Sequence, residues 1–149
     1  TPFRRASEAG YLDLESCLHI GIRGPLYAST DLADDKRLGF EVITSVDMDT
    51  LGVAGVIAKM LARVGDKPVY VSIDVDVLDP AFAPGTGTPE MGGLSSREML
   101  AILRALGAVN LIGADIVEVS PQYDSAQITG FAAAHMAYEL ITVMAKGLK

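Results

Sequence analysis

Apolar runs and amphipathic stretches alternate along this chain, and their spacing predicts its elements. Leu18-His19-Ile20-Gly21-Ile22 reads as a short strand, ended by Arg23-Gly24-Pro25. The polar segment Ser29–Leu38 is a candidate helix capped by Ser29 or Thr30, with acids in its first turn, where the helix dipole favours them. Glu41–Val46 is short and β-branched, which favours strand. From Thr50 to Val64, Leu51, Ile57, Met60, Leu61 and Val64 keep the i, i+3, i+4, i+7 spacing of a helix, and Gly65-Asp66-Lys67-Pro68 ends it. Val69–Ile73 reads as a buried strand. Ser95-Ser96-Arg97-Glu98 matches a capping box that opens a helix to Leu106. Leu111–Ala114 leads into a further strand at Ile116-Val117. An Ala-rich helix over about Ala126–Met144, apolar on most faces, closes the series.

The order is therefore βαβαβαβα. Strands joined through helices imply an α/β fold with a parallel sheet covered on both faces. There is no internal repeat, low-complexity tract or domain boundary, and 149 residues suffice for one core. The chain opens Thr1-Pro2-Phe3 without a Met, as a segment of something longer would.

Twelve Lys and Arg against nineteen Asp and Glu leave a net charge of −7. That balance lacks the basic footprint of a nucleic-acid binder and any polybasic membrane patch. Gly, Asp or Lys interrupts the apolar runs before they reach the roughly 20 residues of a membrane span. The lone Cys17 cannot form an intrachain disulfide, which suits a reducing compartment, and no secretory leader pattern is present, so the expected location is cytoplasmic.

In open parallel sheets, ligands bind at the carboxyl ends of the strands. Asp74-Val75-Asp76 emerges there, directly from Val69–Ile73. In extended chain, residues i and i+2 point to one side, so two carboxylates share a spot and repel unless a cation or proton lies between them. Hard oxygen donors suit Mg or Mn, and a bridging carboxylate suits two metals about 3.5–4 Å apart. The alternative is that one Asp caps the following turn and the other is solvated. Glu118 stands just past Asp115-Ile116-Val117, where it either serves the fold or accepts a guanidinium held bidentately. Asp115, on the opposite side of the strand, is expected to bond backbone groups. Between them, Asp79–Pro89 combines three prolines with permissive glycines, a loop able to bring N–H, C=O and Thr hydroxyls close to a ligand. Asp79 before Pro80 is expected to make an Asx turn that shapes it.

The run SIDVDVLDPAFAPGTGTPEMGGLSSRE, from Ser72 to Glu98, resembles the signature of the ureohydrolases: arginases, agmatinases and related guanidino-acid hydrolases. DIVEVSPQYD, from Asp115 to Asp124, is similar to that family's final strand, and TPFRRASEAG with GIRG resembles the agmatinase branch. The resemblance implies a three-layer αβα, arginase-like fold, of which residues 1–149 are the carboxyl-terminal half of a single domain. It implies that Asp74 bridges two Mn2+ ions, that Asp76 completes one of them, and that Glu118 receives the guanidinium with Thr88 nearby. The reaction would be attack of a metal-bridging hydroxide on the guanidinium carbon. With agmatine as substrate it would release urea and putrescine, a polyamine-forming step. A homo-oligomer, trimer or hexamer, is implied too.

A dinuclear centre needs about six protein ligands, usually with some His. His19, within a strand, and His135, in the last helix, lack metal-ligand spacing and read as packing positions. The family's remaining ligands lie in an amino-terminal half that this chain does not include. A strand of that half would separate the two earlier strands here from the two later ones, leaving open edges and an apolar face. The chain alone is therefore expected to be inactive. Two other readings stand beside this one: a non-catalytic assembly module of the same fold, and an aspartate-nucleophile phosphohydrolase with Asp74 attacking and Asp76 as general acid. The second also requires a downstream acidic pair that Ile112–Ser120 does not supply.

Overall fold

Among the described residues, four parallel strands form two separate pairs, and helices pack between and over them. The computed structural model describes residues 2–28 and 30–147. A short helix, α1 (Pro2–Glu8), precedes β1 (Leu18–Ile22), α2 (Asp31–Leu38), β2 (Glu41–Thr44) and α3 (Ser45–Val64). The chain continues through β3 (Pro68–Asp74), α4 (Ser96–Ala105), β4 (Asn110–Val117) and α5 (Ile128–Gly147). The βαβαβαβα order is as expected; α1 was not anticipated.

Among the described residues, β1 pairs only with β2, and β3 only with β4, both in parallel. One apolar cluster spans both pairs. Ile43 of β2, Val56 and Met60 of α3, Ile73 of β3, Ile102 and Leu103 of α4, and Met136 and Leu140 of α5 all belong to it. Burying such side chains contributes about 1.5–3 kcal/mol each. On α3, Met60 and Val64 are buried as the spacing requires, and Leu51, Ile57 and Leu61 pack against the cluster, but Val56 lies deepest of all.

Several boundaries differ from expectation, each for a local reason. The strand expected over Glu41–Val46 stops at Thr44, because Thr44 Oγ1 accepts from Asp47 N at 3.1 Å and Asp47 Oδ2 accepts from Thr44 N at 2.9 Å. That capping box starts α3 at Ser45 rather than Thr50 and leaves Val46 exposed. A break at Gly52 (φ 63°, ψ 166°) then kinks the helix. Ser29 lies outside the described residues. Thr30 precedes α2 but makes no side-chain cap; Asp31 Oδ2 instead accepts from Tyr27 N and Ala28 N, each at 3.0 Å. The box at Ser95 and Glu98 is present as read.

The expected two-sided cover of the sheet is incomplete in this chain. Along β3, Val69 and Val71 are half-buried and Ile73 is buried, whereas Pro68, Tyr70 and Ser72 are exposed. On β4 an irregularity in register leaves Ile112 without a partner and 61 % exposed. Tyr70 lies over Gly113, where a Cβ would meet its ring at 2.9 Å. Among the described residues, α5 is the one helix long and apolar enough to cross a membrane by length and composition, contrary to the reading of its interrupted runs. Here it packs on α4 and β4, burying Thr129, Met136, Leu140 and Val143, and Glu139 accepts from Arg104 Nη2 at 2.7 Å.

Candidate active site

β3 delivers Asp74 to the carboxyl end of its sheet, and the chain then coils at once into a short 3-10 turn, Val75–Val77. Val75, fully buried, and Leu78, 2 % exposed, anchor this turn in the core. Asp74 Oδ1 accepts from Asp76 N at 3.1 Å. The two acids are thus brought together by a turn that Asp74 caps, not by the extended i, i+2 geometry first expected. The capping alternative is real for Asp74, while Asp76 is engaged as well: Thr88 Oγ1 donates to Asp76 Oδ2 at 3.0 Å. Burial pushes the Asp74 carboxyl up to about 6; the Asp76 N–H opposes this in part, and the negative charges of Asp76 and Glu118 add to it. Asp74 thus feels both other acids.

The loop between Asp76 and Leu94 is held at both ends. Asp79 Oδ1 accepts from Ala81 N and Oδ2 from Gly92 N, each at 3.0 Å, so the expected Asx turn is present and also closes the far end. Those N–H groups, Ala81 foremost, hold the Asp79 carboxyl below its usual range. Leu78 and Leu94 pair as a parallel bridge beneath the loop. Arg23, directly after β1, reaches across: its guanidinium donates to the carbonyls of Asp76, Leu78 (3.2 Å), Glu90 (2.7 Å) and Met91 (3.3 Å).

Glu118 follows β4 with φ 69°, in the left-handed region that a non-glycine residue enters only when held there. Gly87 lies so close that a Cβ on it would come within 4.0 Å of Glu118 Oε2. Asp74, Asp76, Thr88 and Glu118 therefore meet at one end of the β3–β4 pair. Asp115 does not join them. Its carboxylate accepts side-chain bonds, from Tyr70 Oη at 2.7 Å and Ser72 Oγ at 2.6 Å, in place of the backbone bonds expected.

His19 packs against Phe40 with ring centroids 4.9 Å apart, as a packing residue does. His135, read as another, is instead exposed on α5. Among the described residues, no group of three or more His, Cys, Asp or Glu could hold a metal ion. The donor chemistry of Asp74 and Asp76, hard oxygens crowded enough to repel, fits part of a divalent-cation site and falls short of a whole one. A cleft of about 240 Å³ lined by Gly21, Ser45, Asp49, Gly93 and Glu98, among others, includes none of the four candidate residues. Sequence reasoning missed the role of Arg23, which it met only as the end of a strand and as part of the GIRG motif. It also missed the buried pair Asp124 and Thr129, described below.

Comparison with known proteins adds to this geometry. The model of the arginase family matches residues 1–142. The chain is similar to putative agmatinase 3 of Schizosaccharomyces pombe, with 49 % identity over 97 % of this chain and 35 % of that protein. It is also similar to guanidinopropionase of Pseudomonas aeruginosa, with 47 % identity over 98 % of this chain and 46 % of the other. Among solved structures, proclavaminate amidinohydrolase of Streptomyces clavuligerus superposes with a TM-score of 0.92 at 44 % identity, over 99 % of this chain and 49 % of that one. The chain thus spans between about a third and a half of the length of these relatives.

Proposed function

The chain belongs to the arginase family, and from that premise we propose that it supplies part of an active site that hydrolyses a guanidino compound to urea and an amine. Agmatine, which would give putrescine, is the substrate we favour. The observation that carries the reading is the meeting of Asp74, Asp76 and Glu118, with Asp74 pushed up to about 6 by burial and by the other two charges. Three carboxylates gathered at one strand end suit cationic partners: a divalent metal at Asp74 and Asp76, and a guanidinium at Glu118. Mn2+ there would supply a nucleophile from water at neutral pH. Glu118 would accept hydrogen bonds from the planar guanidinium and orient its carbon. Thr88, through its bond to Asp76 Oδ2, would hold that carboxylate in one direction.

The remaining metal donors would come from polypeptide beyond these 149 residues, in keeping with the partial span of the relatives. Residues 1–149 would then be the carboxyl-terminal half of one domain, working in a cytoplasmic homo-oligomer, trimer or hexamer; exposed apolar faces support association. One observation favours a second reading, an assembly module without catalysis: the described residues hold no complete metal-binding group.

Metal content and urea release by the full-length protein decide between them. The expected result is retained Mn2+ with urea formed from agmatine, both lost in Asp74→Asn and Asp76→Asn. No Mn2+ and no urea from agmatine, guanidinobutyrate or guanidinopropionate would leave the assembly module standing.

A further inference from the structure

Glu118, at φ 69°, needs something to hold it, and the chain opposite does so. Thr86 forms an antiparallel bridge with Val119, and Ser120 N donates to Gly85 O at 2.8 Å. These contacts grip the two residues that follow Glu118. Gly85 is held from its other side, where its N–H donates to Thr129 Oγ1 at 2.7 Å. Thr129 is fully buried in the first turn of α5. Its N–H donates to Asp124 Oδ1 at 3.1 Å, and Gly130 N donates to Asp124 Oδ2 at 2.8 Å. Asp124 is itself only 7 % exposed. The fit admits nothing larger than glycine at position 85, where a Cβ would lie 2.4 Å from Asp124 Cβ and 2.9 Å from its Cα.

This is more than a helix cap. A cap needs only a carboxylate accepting N–H groups, and Asp124 alone provides that. The Thr129 hydroxyl reaches away from the helix to a loop glycine 44 positions earlier, and that glycine bonds the residue two places after Glu118. A buried N–H left without its acceptor is costly, so the link is tight.

We propose that Asp124 and Thr129 are positioning residues: through Gly85 they hold the Thr86–Thr88 segment against Val119, and so set where Glu118 presents its carboxylate. The catalytic consequence rests on the guanidino-hydrolase reading; the strut itself does not.

Thr129→Val removes the acceptor at nearly constant volume, and Thr129→Ser restores it. Amide hydrogen exchange on the full-length protein should show Gly85 and Ser120 exchanging roughly tenfold faster in Thr129→Val, the equivalent of one buried hydrogen bond, with β3 and β4 unchanged. Urea release, measured with Mn2+ and agmatine well below the unfolding temperature, should lose about tenfold or more in kcat/KM, and Thr129→Ser should recover it. Unchanged exchange at Gly85 and Ser120 overturns the proposal, and so does faster exchange with unaltered kinetics in an active enzyme. Should Thr129→Val fail to fold, the wild type still decides: a Gly85 amide that exchanges as freely as an exposed loop overturns the strut. A wild type that forms no urea sinks the guanidino reading instead, and the exchange result continues to judge the strut.

Discussion

The guanidinium of Arg23 donates to the backbone carbonyl of Asp76, so the end of the β1–β2 pair grips the acidic turn at the end of the β3–β4 pair. No strand ladder joins those pairs among the described residues. A planar cation with five donors can satisfy several carbonyls at once, and an ammonium cannot match its fork.

Arg23→Ala is therefore expected to cost about 2–3 kcal/mol, since it orphans the carbonyls of Asp76, Leu78 and Glu90 together. Arg23→Lys should recover only part of it. Urea-unfolding midpoints of the full-length protein measure both, and an Arg23→Ala midpoint equal to wild type would refute the cross-tie.

Asp74 makes the metal-free protein sensitive to pH in an unusual direction. Its folded carboxyl keeps its proton up to about 6, whereas the ordinary value is 3.8. Between those values the folded state binds more protons than the unfolded one, so this group's contribution to stability falls as pH rises. The stability of Asp74→Asn relative to wild type should accordingly increase from pH 4 to pH 6 and then level off. Bound Mn2+ should reverse the preference, because it favours the ionised carboxylate. Thermal melts of both proteins in chelator across that range test the point; a difference flat in pH would contradict it.

Two residues that look alike in sequence should behave differently when cut back to alanine. Ser95 Oγ accepts from Glu98 N at 3.3 Å and Ser95 N donates to Glu98 Oε2 at 2.8 Å, so Ser95→Ala is expected to cost about 1 kcal/mol. Thr30 makes no cap bond, and Thr30→Ala should stay within about 0.5 kcal/mol of wild type. Chemical denaturation separates the two; equal losses would show the cap assignment to be mistaken.

The chain of 149 residues on its own should self-associate. Tyr70, Ile112 and Val117 are exposed at 53, 61 and 40 % along β3 and β4, and both strand pairs have unpaired edges. Ile112→Lys should reduce the association. Sedimentation velocity on the isolated chain reads it directly, and a single monomeric species at micromolar concentration would argue against an unsatisfied face.

Much of the candidate site was legible because its residues are neighbours in sequence or end a strand. Asp74 and Asp76 stood out as a close acidic pair after an apolar run, and Glu118 as an acid after the last strand. The Asx turn at Asp79 followed from the proline beside it. Thr44 and Asp47 form a capping box like that of Ser95 and Glu98, but they follow a β-branched run that extends the strand expectation through Val46. Asp115 was misjudged because its partners, Tyr70 and Ser72, come from another strand and only the register brings them opposite.

The amino-acid sequence by itself determined the order of strands and helices from β1 onward, the capping box of α4, the acidic pair and the family to which they point. Those features rest on side-chain periodicity and short spacings, which act over a few residues. Tertiary structure alone decided that Arg23 holds the Asp76 turn, that Thr129 reaches Gly85, and that Glu118 stands in a left-handed conformation within reach of Asp74's field. Each of these joins residues 44 or more positions apart or strains a backbone against its own preference. No local rule specifies such pairs; they form because packing the two strand pairs onto one core brings residues far apart in sequence to the same end of the sheets.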